Sequence, residues 1–120
     1  MKITIHENGG GKAAEVEFEG VGINTMQDAL DLAASAQIPT PKKIILHREN
    51  INSDFFELRT GLAGQILQKF SQYGITCAIV GDFSDITSEA FKALIIESNR
   101  GRQTFFVNTV HEAIEKLTYA

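Results

Sequence analysis

The 120-residue sequence predicts an α/β fold: a mostly parallel sheet with an N-terminal antiparallel hairpin, and helices packed on the sheet. Three patterns point there. Short apolar runs of β-branched character recur at Lys43–His47, Ile75–Val80 and Thr104–Val107. Segments with helical apolar spacing, opened by residues suited to capping, alternate with them. Two alternating stretches near the N-terminus flank a glycine-rich turn. The order is β-β-α-β-α-β-α-β-α, and strict alternation after the hairpin implies right-handed crossovers between parallel strands.

Lys2–His6 and Ala14–Phe18 form the hairpin arms, with Val16 and Phe18 on one face and Asn8–Gly11 as the turn. Thr25 opens the first helix, and Asp28 three residues on makes an imperfect capping box. Met26, Leu30 and Ala33 are its inner face with Ala29 beside them, and Pro39 and Pro41 stop it. Lys43–His47 reads as a strand covered on both faces. The second helix runs from about Thr60 to Tyr73 on Leu62, Ile66 and Phe70, and Gly74 takes a left-handed position after it. Ile75–Val80 is the next strand. A third helix spans about Ser88 to Asn99, with Thr87 as cap, Phe91, Leu94, Ile95 and Ser98 facing inward, and Gly101 ending it. Thr104–Val107 is the last strand, and Thr109 with Glu112 caps the final helix.

Length and usage fit one domain over residues 1–120 with a core of its own: 43% of residues are apolar and 22% charged. The single cysteine, Cys77, can form no intramolecular disulfide and reads as a buried, inert thiol. No run approaches the roughly 18 apolar residues of a membrane span, and no secretory leader opens the chain, so a soluble, cytoplasmic protein is expected. The net charge is −4, and no basic run exceeds two residues, which argues against a nucleic-acid partner. Gly9–Gly11 leads into a strand, so no helix N-terminus follows to make it a phosphate loop.

Ligands of parallel α/β sheets bind beyond the carboxyl ends of the strands. That rule selects His47, Arg48, Glu49 and Asn50 after the third strand, Asp82 and Ser84 after the fourth, and Asn108 after the fifth. His47, Glu49 and Asp82 would line one pocket, with His47 as base or metal ligand and a carboxylate orienting it. Asp82 and Ser84 equally suit turns and helix caps whatever the function. His6, His47 and His111 sit on separate elements without metal-site spacing, so neither a metal nor a cofactor is expected. Arg100-Gly101-Arg102 is the densest basic spot and is read as offsetting a helix C-terminal dipole. Of Phe55-Phe56, one ring plugs the core while the other is free to anchor a partner.

Two resemblances bear on function. Phe56-Glu-Leu-Arg-Thr-Gly-Leu62, Ala78-Ile-Val-Gly-Asp-Phe83 and Thr104-Phe-Phe-Val107 resemble segments of the SpoIIAA-like group, relatives of the anti-sigma-factor antagonist (STAS) fold. Lys43-Ile-Ile-Leu-His-Arg-Glu-Asn50, Asp54-Phe-Phe56, Thr60-Gly-Leu-Ala-Gly64 and Glu97-Ser-Asn-Arg-Gly-Arg102 are similar to the bacterial family described as domain of unknown function 4180 (DUF4180). The STAS resemblance implies a non-enzymatic regulatory or protein-interaction module, in some members switched by phosphorylation where the helix after the third strand begins. Here that stretch reads Leu58-Arg59-Thr60-Gly61, in which Thr60 and Gly61 match the antagonists' pattern and Leu58 and Arg59 depart from it. A phosphate on Thr60 would lie at a helix N-terminus beside Arg59. The expectation is thus a module with a protein partner, homodimerisation being compatible with so small a chain. The alternative is a small-molecule binder or modest enzyme around His47, Glu49 and Asp82.

Overall fold

A computed structural model describes residues 1–9 and 11–120. Five strands form one sheet in the order β1-β2-β3-β4-β5: Lys2–Asn8, Gly11–Glu17, Lys43–His47, Thr76–Val80 and Thr104–Val107. β1 and β2 are antiparallel, and β2, β3, β4 and β5 run parallel to one another. Helices α1 (Met26–Ala33), α2 (Leu62–Gln72) and α3 (Glu89–Arg100) connect the parallel strands, and α4 (Val110–Thr118) follows the last. No helix is long and apolar enough to cross a membrane among the described residues. The hairpin turn read at Asn8–Gly11 includes Gly10, which lies outside those residues.

Strand parity divides the core in two. Ala14, Val16, Ile44, Leu46, Cys77, Ile79 and Phe106 point to one face, where they meet α1, α2 and α3 through Ala29, Leu32, Ile66, Phe70 and Phe91. Ala13, Ile45, Ala78, Val80, Phe105 and Val107 point to the other, where Ala113 and Leu117 of α4 cover them. Crossovers of one hand that always add the next strand on the same side place all their helices on one face. The second face is left to α4 alone. That helix ends against the hairpin: Asn8 Nδ2 donates to Thr118 Oγ1 at 3.2 Å, and Lys43 Nζ donates to the Leu117 carbonyl at 2.7 Å.

Local chemistry sets the helix ends. Thr25 Oγ1 accepts from the Asp28 N–H, and the Asp28 carboxylate accepts from Thr25 N–H, so the box is complete. Thr109 Oγ1 accepts from the Glu112 N–H at 3.1 Å. Gly74 has φ +68 and follows α2 as its spacing requires.

Several boundaries differ from the sequence reading. α1 buries Ala29, Leu32 and Ala33 rather than a stripe through Leu30, and it ends well before Pro39. There Lys42 Nζ ties the Ser35 and Ile38 carbonyls. α2 starts at Leu62 because Gly61, at φ +82, breaks the helical path after Thr60. α3 is capped by Ser88, whose Oγ accepts from the Phe91 N–H, one residue later than Thr87. The stretch from Arg48 to Thr60 is organised as three short 3₁₀ turns.

Candidate functional site

The carboxyl ends of β3 and β4 open into a groove of about 850 Å³. Its walls are the chain after β2 (Val21, Asn24), the segment after β3 (His47 to Glu49 and Ile51 to Ser53, with Phe56) and the turn after β4 (Gly81, Asp82, Ser84 and Asp85). Parallel pairing continues past the strands proper. Gly22 and Ile23 donate to the Asn50 carbonyl, and Asn52 donates back to Ile23, holding Ile23 beside Ile51. Two walls are thereby fixed at a constant spacing.

Of the residues selected from sequence, His47, Arg48, Glu49, Asp82 and Ser84 line this groove. Asn50 does not. It is 4% exposed, and its side-chain amide accepts from Phe18 N–H and donates to the Phe18 and Gly20 carbonyls. Buried amide donors and acceptors need such partners, so Asn50 fastens the chain after β2 to the chain after β3. Asn108 is exposed beyond β5, away from the groove.

Arg48 is held by hydrogen bonds and by stacking. Nη1 and Nη2 donate to the two Asp85 carboxylate oxygens at 2.7 and 3.0 Å, and Nη1 also donates to the Asp82 carbonyl. Its guanidinium carbon lies 4.8 Å from the Phe56 ring centre and 5.4 Å from that of Phe83. A planar fork of donors with stackable faces suits this position as lysine would not. Gly81 lets the arginine pass: a Cβ there would stand 2.7 Å from Arg48 Cβ. Asp82 accepts from the Ser84 N–H at 2.9 Å, and hydrogen bonds from Ser84 hold its carboxyl below the ordinary range. The hydrogen bonds from Arg48 do the same for Asp85.

His47 pairs with neither Glu49 nor Asp82. Its Nε2 lies 2.8 Å from Glu15 Oε2, while His6 Nε2 lies 2.8 Å from Glu15 Oε1. Both rings therefore carry hydrogen at Nε2 when Glu15 is ionised. Glu15 is 9% exposed. Burial works to raise its carboxyl, but hydrogen bonds from His6 and His47, with their charges, outweigh it and leave the group below its ordinary value. Glu17 lies on the same face, and ligand atoms of Glu15, Glu17 and His47 all stand within 4.8 Å of one another. Histidines on separate elements are thus joined by a carboxylate that sequence reasoning passed over. Alternation with Val16 and Phe18 put Glu15 on the solvent side of its strand, so no local signal pointed to it.

A family model described as "Domain of unknown function (DUF4180)" matches residues 8–117. The chain belongs to the DUF4180 family. No curated protein and no solved structure matches it. The span shared with DUF4180 contains every groove-lining residue as well as Glu15 and Glu17, whereas His6 precedes it.

Two further positions of this DUF4180 chain were singled out from sequence. Thr60 Oγ1 donates toward the Asp54 and Glu57 carbonyls at 2.6 and 2.9 Å and accepts from Leu62 N–H at 3.3 Å. It closes the last 3₁₀ turn ahead of α2. Cys77 is fully buried, and desolvation pushes its thiol up to about 12.

Proposed function

We propose that this DUF4180 protein is a non-enzymatic regulatory or protein-interaction module of STAS-like type, and that the groove beyond β3 and β4 is its working surface. One observation carries the reading. The exposed carboxylates of Glu49 and Asp82 rim a floor containing Ile51, Phe56 and Val80, while Asp85 and the arginine of the lining, Arg48, neutralise one another. A polar, acidic rim around an apolar floor suits a segment that brings both basic and apolar side chains. The element order β-β-α-β-α-β-α-β-α agrees with the STAS resemblance.

The test is retention of a partner by the purified protein and by Glu49→Lys, Asp82→Lys and the pair combined. Charge reversal on the rim should release a partner that wild type holds, and raising salt should do the same. A partner held equally by all four proteins overturns the assignment of the groove.

A second reading, small-molecule binding or modest catalysis around His47, Glu49 and Asp82, is favoured by the Glu15–His47 contact. A neutral imidazole that donates Nε2–H to Glu15 presents its Nδ1 lone pair at the groove edge. A thermal-shift screen of metabolites against wild type and His47→Ala separates the two. Responses identical in both proteins remove His47 from any such role.

A further inference from the structure

Next to the groove, the second face of the sheet carries a polar cluster that shares only His47 with the groove lining. The apolar patch beneath α4 stops at Ala13 on β2 and Ile45 on β3. The next residues of the same parity are Glu15, Glu17 and His47, and His6 stands opposite Ala13 on β1. Three adjacent strands, spaced about 4.8 Å apart, thus turn two carboxylates and two imidazoles toward one patch. α4 has by then crossed toward the hairpin turn, where Thr118 meets Asn8.

We propose that this patch is a binding site for a divalent transition-metal ion of the zinc class, with Glu15, Glu17 and His47 as ligands and His6 as the residue that positions Glu15. The inference goes beyond the groove reading and does not depend on it.

The geometry fits. Ligand atoms of the three residues lie within 4.8 Å of one another. Two ligands with bonds of about 2.0–2.2 Å stand roughly 3.5 Å apart about a tetrahedral ion, so a rotation of Glu17 toward Glu15 and His47 closes the set. Glu17 is free to make it: its carboxylate has no hydrogen-bond or ion-pair partner among the described residues.

The chemistry selects the ion. Imidazole nitrogen with carboxylate oxygen suits zinc, cobalt and nickel, whereas magnesium and calcium prefer oxygen alone. Two carboxylates and a neutral imidazole balance a 2+ charge with none to spare. On binding, His47 gives its Nε2 lone pair to the ion. The proton that Nε2 carried passes to Nδ1, or to water if the ring began as imidazolium. His6 keeps its hydrogen bond to the other Glu15 oxygen, the outer contact that orients a ligating carboxylate. The side chains are already gathered and sheltered: Glu15 is 11% and His47 16% exposed, so little ordering is left to be done when the ion arrives.

Untagged protein of residues 1–120 is titrated with Zn²⁺ in competition with a chromophoric chelator, and with Co²⁺ while its visible absorption is followed. One ion per chain is expected, together with the intense Co²⁺ bands of a low-coordinate site containing nitrogen. Glu17→Gln and His47→Gln should abolish stoichiometric binding, and His6→Gln should weaken it by about 10–100-fold. The Glu17 side chain makes no hydrogen bond or ion pair among the described residues, so its variant should melt like wild type and separate loss of the ion from loss of structure. His111→Gln removes the exposed His111–Glu115 pair and should leave the titration unchanged. Absence of competition at equimolar zinc, or binding that survives Glu17→Gln and His47→Gln, or loss that follows His111 instead, overturns the site.

Discussion

The side-chain amide of Asn99 closes both backbone groups of Phe106: Oδ1 accepts from the Phe106 N–H at 2.7 Å, and Nδ2 donates to its carbonyl at 3.1 Å. β5 has a strand neighbour on one side only, and an unpaired edge invites association with other chains. An asparagine from α3 occupies the place that a further strand would take. Asn99→Ala should cost about 1–3 kcal/mol, because two groups of a buried residue lose their partners. Urea unfolding of wild type and variant measures it, and an unchanged midpoint would show that water replaces the amide without loss.

Gly81 and Gly64 should respond to alanine in opposite directions. At Gly81 the added methyl would stand 2.7 Å from Arg48 Cβ, so the arginine or the turn after β4 must shift. A loss of about 1–3 kcal/mol follows from that overpacking. Gly64 lies inside α2 with nothing within 4 Å of an added Cβ, and alanine there should stabilise by about 0.5–1 kcal/mol. Paired thermal melts decide both, and a stabilising Gly81→Ala would mean that Arg48 is not seated as described.

Arg48→Lys keeps the charge but gives up the paired bonds to Asp85 and the stacking on Phe56 and Phe83. The turn from Gly81 to Ile86 should then exchange its amide hydrogens faster, while the amides of β4 keep their protection. Hydrogen exchange read residue by residue checks this. Uniform acceleration through β4 would indicate global destabilisation instead.

Acid should weaken the metal-free protein through Glu15. Its folded carboxyl lies below the ordinary 4.5, so the folded state binds fewer protons than the unfolded chain in this range. The stabilisation is fully present above about pH 5 and is lost as pH falls through the depressed folded value. Glu15→Gln should flatten the acid limb of a stability–pH curve measured with chelator present. A limb as steep in the variant as in wild type assigns the acid sensitivity to other carboxylates.

Cys77 should resist alkylation in the native state at mildly alkaline pH, since its thiol is pushed up to about 12 and no water reaches it. Complete labelling in denaturant, against none without it, is the expected contrast. Rapid native labelling would place Cys77 in a segment that opens.

Much of this architecture was legible because its cues are local. β3 falls on Lys43–His47 as read, since an uninterrupted apolar run flanked by polar residues leaves few alternatives. Thr25 and Thr109 announce α1 and α4 through contacts within a single turn. The rim of the groove followed from the rule that parallel strands direct their carboxyl ends to one side. Glu15 was not legible, because a glutamate in a strand ordinarily faces solvent, and only the pairing of three strands shows that two histidines converge on it. Asn50 misled for a related reason. An asparagine in a loop looks the same whether it greets a ligand or clamps Phe18 and Gly20. The segment from Arg48 to Thr60 lacks periodicity, so its 3₁₀ turns could not be told from open loop.

The spatial order of the strands is their order along the chain. Each newly made strand can dock beside its immediate predecessor, and none has to be threaded between two already in place. Such a sheet can zip up progressively during synthesis, its growing margin always the most recent strand. The last turn of α4 then acts as a clasp, as Thr118 reaches back to Asn8 on β1.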